Sequence, residues 1–173
     1  MNIVLIGYRG SGKSTVGKRL AQLLGMSFVD TDALIAERAG QSIKEIFAAE
    51  GETGFRERES VVIQEVTSKS NTIIAAGGGA ILRPENVAAM KRSGKVVWLQ
   101  ADPEVLHARI SADTTTAATR PHLTHLGGGV EEIRAVLEKR LPLYAAAADV
   151  TIDIGRIPLE NAADHIREQL AKG

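Results

Sequence analysis

Short apolar runs alternate with longer amphipathic segments along the whole chain. Five runs predict buried strands, over about residues 2–6, 27–30, 72–76, 96–99 and 150–154. Between them, apolar residues recur every three or four positions, which is typical of helices with one buried face. Strands separated by helices predict an α/β fold, in which a parallel sheet is covered on both faces and ligands bind at the carboxyl ends of the strands.

Capping residues and prolines mark where several helices begin. Ser42, with Glu45 three residues later, forms a capping box, and we expect the helix that it begins to close at Gly51. Asp32 is expected to cap another helix, and Pro103 to occupy the first position of a third. The periodic segments predict further helices over about residues 14–24, 53–68, 130–141 and 159–171.

Residues 111–129 show no periodicity. This stretch of about 19 residues contains a Thr/Ala tract, Arg120-Pro121, two histidines and three glycines. Aperiodic segments of this length are usually functional or disordered, and an active-site lid is the leading interpretation. His122 and His125 could suggest a metal site, but no third ligand accompanies them, and solvated histidines are the commoner outcome.

Composition narrows the classes of function. The 173 residues suit one domain, 44% apolar and 24% charged, with a formal net charge of zero. No electrostatic footprint for nucleic acid or an anionic membrane is present. The chain has no cysteine, and its first apolar run is too short for a signal peptide. We therefore expect a cytoplasmic protein, monomeric and without nucleic-acid or membrane partners.

The strongest motif is a glycine-rich loop between the first strand and the first helix. Residues 7–15 read GYRGSGKST and fit the phosphate-binding pattern G-x-x-x-x-G-K-[ST]. Backbone N–H groups and the helix N-terminus would face a polyphosphate, Lys13 would supply an ammonium, and the Ser14 hydroxyl could bind Mg²⁺. The alternative is a glycine-rich turn with an incidental lysine. The context of strand, loop and helix favours a nucleoside triphosphate site.

Two carboxylates follow the second strand. Asp30 and Asp32 can both point into the cleft where the phosphate loop opens. Phosphoryl transfer from Mg·ATP needs one carboxylate near the metal and another directed at the attacking hydroxyl. The strand ending at Ala76 carries no acid at its tip, so this pair is the obvious source. The alternative is that Asp32 only caps a helix and Asp30 is a solvated turn residue.

Three weaker patterns could contribute to a pocket, and each has a structural alternative. Arg56 and Glu59 share a helical face and can pair or line a pocket, although an exposed charged surface is common for such a run. Gly77–Gly79 would allow a ligand to approach the backbone, or would form a tight turn. Arg140 could bind an anion, or interact with the C-terminal end of its own helix.

Taken in order, these motifs resemble those of the shikimate kinase family, and the resemblance runs from Ile3 to the last helix. The matching segments are the phosphate loop, D-T-D at Asp30, G-E-x-x-F-R-x-x-E from Gly51, G-G-G-A from Gly77, R-P at Arg120 and R-x-P-L-Y from Arg140. The resemblance implies a three-layer P-loop kinase fold like that of the nucleoside monophosphate kinases, with a five-stranded parallel sheet of order 2-3-1-4-5 and a mobile lid. It also implies one kinase domain over residues 1–173, with a core of 1–30, 70–110 and 145–173, a substrate-binding region of about 31–62 and a lid of about 111–129.

The activity implied by the family is transfer of the ATP γ-phosphoryl group to the 3-hydroxyl of shikimate, with Mg²⁺, in chorismate and aromatic amino acid biosynthesis. By position, the implied catalytic residues are Asp32, as base, with Lys13 and Arg120, and the implied metal ligands are Ser14 and Asp30. The residues implied to bind ATP are Gly10, Ser11, Gly12, Lys13, Ser14, Thr15, Arg109, Arg120 and Arg156. Those implied to bind shikimate are Asp32, Arg56, Glu59, Gly78, Gly79 and Arg140.

The lid departs from the family pattern. His122 follows Arg120-Pro121 where family members usually have leucine, and residues 114–118 are less basic than in many lids. Two rival functions stay open from the sequence. One is a related small-molecule kinase for gluconate or a nucleotide, and the other is a nucleotide-binding regulatory protein that kept the fold and lost catalysis.

Overall fold

A computed structural model describes residues 1–113 and 119–173. The strands are β1 (Asn2–Ile6), β2 (Ser27–Asp30), β3 (Thr72–Ala75), β4 (Gly94–Gln100) and β5 (Val150–Asp153). The helices in the described residues are α1 (Lys13–Leu24), α2 (Thr31–Ala39), α3 (Ile43–Ser68), α4 (Pro84–Ser93), α5 (Pro103–Ala112), α6 (Val130–Ala147) and α7 (Leu159–Lys172). A short 3₁₀ turn covers Ala80–Leu82. In this part of the chain, no helix combines the length and the apolar character that crossing a bilayer demands.

The five strands form one parallel sheet in the order β2-β3-β1-β4-β5, which confirms the predicted order. The central strand β1 pairs with β3 on one side and with β4 on the other, so that Leu5 lies opposite both Ala75 and Val97. Because β1 is central, the loop that follows it opens at the middle of the carboxyl edge of the sheet. The predicted ligand site lies at this edge.

Alternation along β1 divides the interior into two cores. Val4 and Ile6 pack on one face with residues of α3, α4 and α6, while Ile3 and Leu5 pack on the other with residues of α1 and α7. All five residues of β1 are buried, as expected for a parallel strand covered on both faces. The three-layer architecture is therefore confirmed.

The predicted capping box at the start of α3 is present, and the predicted break follows it. Ser42 Oγ accepts a hydrogen bond from the Glu45 N–H at 3.1 Å, and the Ser42 N–H donates to Glu45 Oε2 at 2.7 Å. At Gly51 the backbone leaves the helical region, with φ of 71°, before the helix resumes. This interruption separates the first turns of α3 from the part that carries Arg56 and Glu59.

Two predicted details are wrong. The cap of α2 is Asp30, whose Oδ1 accepts from the Ala33 N–H at 3.1 Å, so Asp32 lies inside the first turn of α2 instead of capping it. Helix α6 does not end near residue 141 but continues through Pro142 to Ala147. An internal proline costs about 3 kcal/mol, and the burial of Tyr144 and Ala147 in the core offsets that cost.

Candidate active site

The phosphate loop joins β1 to α1 and has the backbone geometry that its glycines predict. Gly12 is the residue before the first turn of α1, with φ of 86°, in the left-handed region that favours glycine. A Cβ atom at this position would lie 2.5 Å from Leu159 Cδ1, so α7 also restricts it. The loop is thus held between the sheet and α7, with its concave side toward the carboxyl edge.

Lys13 is held by the loop itself. Its Nζ donates to the carbonyl oxygens of Gly7, at 2.7 Å, and Tyr8, at 3.1 Å. Burial lowers the pKa of Lys13 to about 8, and the nearby carboxylates of Asp32 and Asp30 oppose that shift. The ammonium is therefore already fixed at the place where a polyphosphate would meet the loop.

Ser14 and Asp30 form the oxygen pair expected of a Mg²⁺ site. The Ser14 hydroxyl donates to Asp30 Oδ2 in a short hydrogen bond. Mg²⁺ prefers hard oxygen ligands and is commonly held by one or two carboxylates together with substrate phosphates. In the described residues, no group of three or more His, Cys, Asp or Glu side chains could hold a metal by itself. One carboxylate beside one hydroxyl, next to a phosphate loop, fits a metal that binds together with the nucleotide.

A cavity of about 310 Å³ adjoins the loop and is lined by charged residues from several elements. The predicted site residues in its lining are Gly10, Gly12, Lys13, Ser14, Thr15, Asp30, Asp32, Arg56, Glu59, Gly78, Gly79, Arg120 and Arg140. The structure therefore brings together residues that are far apart in the sequence, including Arg120 from the predicted lid.

Asp32 is one of the carboxylates that line this cavity. Its Oδ2 accepts a short hydrogen bond from Arg120 Nη1, while its buried Oδ1 has no hydrogen-bond partner among the described residues. The buried Glu59 Oε2 likewise has none in the described part of the chain. Both oxygens face Gly77, where a Cβ would lie 2.5 Å from Asp32 Oδ1 and 2.8 Å from Glu59 Oε2. Asp32 Oδ1 and Glu59 Oε2 therefore lie so close to residue 77 that only glycine fits there.

Arg56 and Glu59 form a buried ion pair on α3, which excludes the exposed-surface interpretation for these two residues. Arg56 Nη1 lies 2.7 Å from Glu59 Oε1, and the two residues are 7% and 0% exposed. Burial raises the pKa of Glu59 to about 7, Arg56 opposes the shift, and Asp32 adds to it. By contrast, Arg58 from the same sequence run pairs with Glu50 at the surface.

Arg140 lies within α6, is buried and lines the cavity. Its guanidinium carbon lies 6.0 Å from the centre of the Tyr8 ring. One turn later, the Tyr144 hydroxyl donates to the carbonyl oxygen of Gly78 at 2.5 Å. The Tyr144 ring stacks on Trp98, with centres 5.6 Å apart, and burial raises its pKa to about 12. One face of α6 therefore supports both Arg140 and the glycine turn.

Three predicted nucleotide-binding residues lie outside the cavity lining. Ser11 is buried within the loop, and its hydroxyl is 3.5 Å from Lys13 Nζ. Arg109 on α5 donates to the Ile154 carbonyl oxygen at 3.2 Å. The exposed Arg156 follows Ile154 by two residues, and its Nε lies 3.3 Å from Asp153 Oδ2. Arg109 and Arg156 are thus both near the carboxyl end of β5, and their contact with adenine stays a prediction.

The sequence patterns missed several residues of the site. Tyr8 and Arg9 occupy variable positions of the phosphate-loop pattern, which assigns them no role, yet both line the cavity. Glu132 is buried near the start of α6, although it reads as an ordinary acidic residue in a first helical turn. No local signal in the sequence distinguishes these residues from surface positions. The tract 114–118 lies outside the described residues.

The chain as a whole is similar to proteins of one known family. The family model described as shikimate kinase matches residues 9–171. The shikimate kinase of Symbiobacterium thermophilum is 46% identical over 98% of this chain and 96% of its own length, and that of Rhodopirellula baltica is 49% identical over 88% and 81%. The solved structure of the Acinetobacter baumannii shikimate kinase in complex with shikimate superposes with a TM-score of 0.91, at 37% identity over 99% of this chain and 93% of that one. This chain belongs to the shikimate kinase family.

Proposed function

We propose that this protein transfers the γ-phosphoryl group of ATP to the 3-hydroxyl of shikimate, giving shikimate 3-phosphate and ADP, a step of chorismate and aromatic amino acid biosynthesis. The observation that carries the proposal is the cavity in which the phosphate loop meets a buried carboxylate and two buried arginines. Family membership and the shikimate-bound relative support the same reaction.

The donor would bind along the phosphate loop. Backbone N–H groups of residues 10–15 and the Lys13 ammonium would hold the phosphates, since both present positive charge to the same concavity. Ser14 and Asp30 would hold Mg²⁺, which when bound offsets the negative charge of the phosphates. Arg109 and Arg156 would flank the adenine beyond the end of β5.

The acceptor would bind between α3 and α6. Arg56 and Arg140 are buried next to Gly79 and Gly78 respectively, and each guanidinium can offer two parallel N–H donors to a carboxylate. The backbone of Gly78 and Gly79 and the side chain of Glu59 would complete the contacts to the hydroxyl groups. Two buried cations in a small polar cavity favour an acceptor that carries a carboxylate.

Asp32 and Arg120 would act at the transferred group. The partnerless Oδ1 of Asp32 is available to accept a hydrogen bond from the attacking hydroxyl and later its proton. Arg120 lies next to the same carboxylate and would stabilise negative charge on the phosphoryl group together with Lys13. In a loose transition state most of the work is positioning and charge stabilisation, which these residues can supply.

The proposal includes the division of the single domain into a core, a substrate-binding region of about residues 31–62 and a mobile lid of about residues 111–129. A closed lid would keep water away from the transferred phosphoryl group. We also propose that the enzyme acts as a cytoplasmic monomer without nucleic-acid or membrane partners. Gel filtration with light scattering at increasing protein concentration would test the monomer.

A coupled assay of ADP release tests the reaction. With ATP and Mg²⁺, we expect turnover that depends on shikimate, and little turnover with gluconate or nucleoside monophosphates. Detection of shikimate 3-phosphate by mass spectrometry would establish the product. Equal turnover of gluconate or a nucleotide with none of shikimate would contradict the substrate, whereas ATP binding without transfer to any acceptor would support a regulatory protein.

A further inference from the structure

The segment of residues 120–124, here called the lid base, is fastened to the rest of the protein at three places. Arg120 pairs with Asp32 on α2. The Pro121 carbonyl oxygen accepts from Arg9 Nη1 of the phosphate loop at 3.1 Å. The backbone N–H groups of Leu123 and Thr124 donate to Glu132 Oε1 at 2.8 and 2.6 Å. The lid base therefore has a defined position relative to both halves of the cavity.

Glu132 is a buried anchor on α6. Glu132 is 2% exposed, and its Oε1, which accepts from the two amides, also accepts from the Thr124 hydroxyl at 3.1 Å. A buried carboxylate is costly unless its hydrogen bonds are made, and here two N–H groups and a hydroxyl make them. Its place in the first turn of α6 further favours negative charge. The chain of the lid base is consequently tied to a rigid element.

Arg9 links the phosphate loop to the lid base in a crowded cationic environment. Burial lowers the pKa of Arg9, and the neighbouring Arg120 and Arg140 act in the same direction, while Tyr8 and Glu132 oppose the shift. Three guanidinium groups thus lie near one another, and Glu132 is the carboxylate that offsets their repulsion from the side of α6. Among the described hydrogen bonds, the one from Arg9 connects the phosphate loop to the lid base, and those to Glu132 connect α6 to it.

We propose that Arg9 and Glu132 are positioning residues, which seat the lid base against the phosphate loop and α6 so that Arg120 reaches the transferred phosphoryl group. This inference rests on the proposed function and adds to it two residues that the phosphate-loop pattern does not define. Neither residue has to contact shikimate. Their effect on the reaction passes through Arg120, and this route distinguishes positioning from direct binding of phosphate.

A double-mutant cycle tests that route. Arg9→Met is expected to lower kcat by about tenfold, the scale of one lost hydrogen bond from a charged donor, with much smaller changes in the KM values. In an Arg120→Met background, Arg9→Met should cause no further loss, because the group that it positions is gone. The inference would be overturned if the two substitutions lowered kcat by independent factors that multiply in the double variant. It would also be overturned if Arg9→Met changed only KM for ATP.

Further variants separate positioning from general damage to the fold. Arg9→Lys keeps a cation that can reach Pro121 and should recover part of kcat, whereas Glu132→Met, which removes the acceptor oxygen, should speed hydrogen exchange at the Leu123 and Thr124 amides and lower kcat. Arg134→Met is the matched control, because Arg134 lies on the same helix and pairs only with the exposed Glu104 in the described contacts. Unchanged exchange in Glu132→Met would overturn the anchoring role. An inactive wild type would refute the proposed function instead, so the two failures are distinguishable.

Discussion

The two halves of the cavity are built by different means. The proposed donor half is mainly one contiguous stretch, residues 7–15, in which backbone N–H groups and one lysine would hold the phosphates. The acceptor half is assembled from side chains on separate helices: Asp32 on α2, Arg56 and Glu59 on α3, and Arg140 on α6. All four of these side chains belong to buried residues, although each type is usually exposed.

The difference has an energetic consequence. A backbone site costs little to maintain, because glycines and a helix N-terminus supply its geometry. Buried charges must be paired, and in the described residues the acceptor half leaves Asp32 Oδ1 and Glu59 Oε2 without hydrogen-bond partners. Substitutions in the acceptor half should therefore change stability and protonation as well as binding, while those in the donor half should change the binding of the nucleotide more than that of the acceptor.

The largest expected effect is that of Asp32→Asn. The amide keeps the shape but cannot accept the proton of the attacking hydroxyl, so kcat should fall by about 10²- to 10⁴-fold. ATP binding, measured by calorimetry, should remain because the phosphate loop is intact. Asp164→Asn, which removes an exposed carboxylate paired with Arg167, is the matched control. Near-normal turnover of Asp32→Asn would remove Asp32 from the mechanism.

Glu59→Gln should change how stability depends on pH. Folded Glu59 titrates near pH 7 and the unfolded group near 4.5, because burial and Asp32 outweigh the attraction of Arg56 and Arg140. The folded state therefore retains the proton longer, and this contribution to stability is full below pH 4.5 and is lost as pH rises to 7. Relative to wild type, Glu59→Gln should gain on the order of 3 kcal/mol across that window.

Urea unfolding at several pH values between 4.5 and 8 measures this difference. The exposed Glu65, which pairs with Arg38 at the surface, supplies the control variant Glu65→Gln. If the stability of wild type and of Glu59→Gln changed with pH in the same way, burial would not raise the pKa of Glu59. That result would also remove the contrast between a charged acceptor half and a backbone donor half.

Arg56→Lys is expected to raise KM for shikimate by roughly ten- to hundredfold, with a smaller change in KM for ATP. Lysine keeps the charge but cannot form two parallel hydrogen bonds to a carboxylate. Arg58→Lys is a close control, since Arg58 lies two residues away and pairs with Glu50 at the surface. Steady-state kinetics with each substrate varied in turn would decide, and an unchanged KM for shikimate would contradict the assignment.

Gly12→Ala addresses the donor half. A left-handed backbone costs alanine about 1–2 kcal/mol, so KM for ATP should rise roughly tenfold while KM for shikimate stays close to wild type. Gly25→Ala is the control, because Gly25 is also left-handed, with φ of 63°, and a Cβ there would meet nothing within 4 Å. Equal effects on both substrates would show that the halves are not energetically separate.

Most of the fold could be predicted because its signals are local. The five apolar runs became the five strands, and the capping box at Ser42 and the break at Gly51 appear where the sequence indicates them. The two errors have different origins. One is local, because Asp30 and not Asp32 accepts from the Ala33 N–H and caps α2. The other depends on tertiary packing, because α6 continues through Pro142 where burial of Tyr144 outweighs the cost of an internal proline.

The site could be predicted in unequal parts. The phosphate loop is contiguous, so one motif located it, whereas the acceptor residues needed a resemblance to a known family to be connected. Arg9 and Glu132 carry no such signal, since their proposed role comes from backbone groups of the lid base, which lie 112 residues from Arg9 and eight to nine residues from Glu132. Contacts between side chains and remote carbonyl or amide groups leave no pattern in the residue types.

The stack of Trp98 on Tyr144 gives the acceptor half an optical reporter. Trp98 is the only tryptophan in the 173 residues, and Tyr144 connects it to the Gly78 carbonyl of the glycine turn. A ligand that moves this turn would also move the phenol that lies against the indole. Intrinsic fluorescence of the unlabelled protein should therefore follow occupancy of the acceptor half in real time, separately from nucleotide turnover.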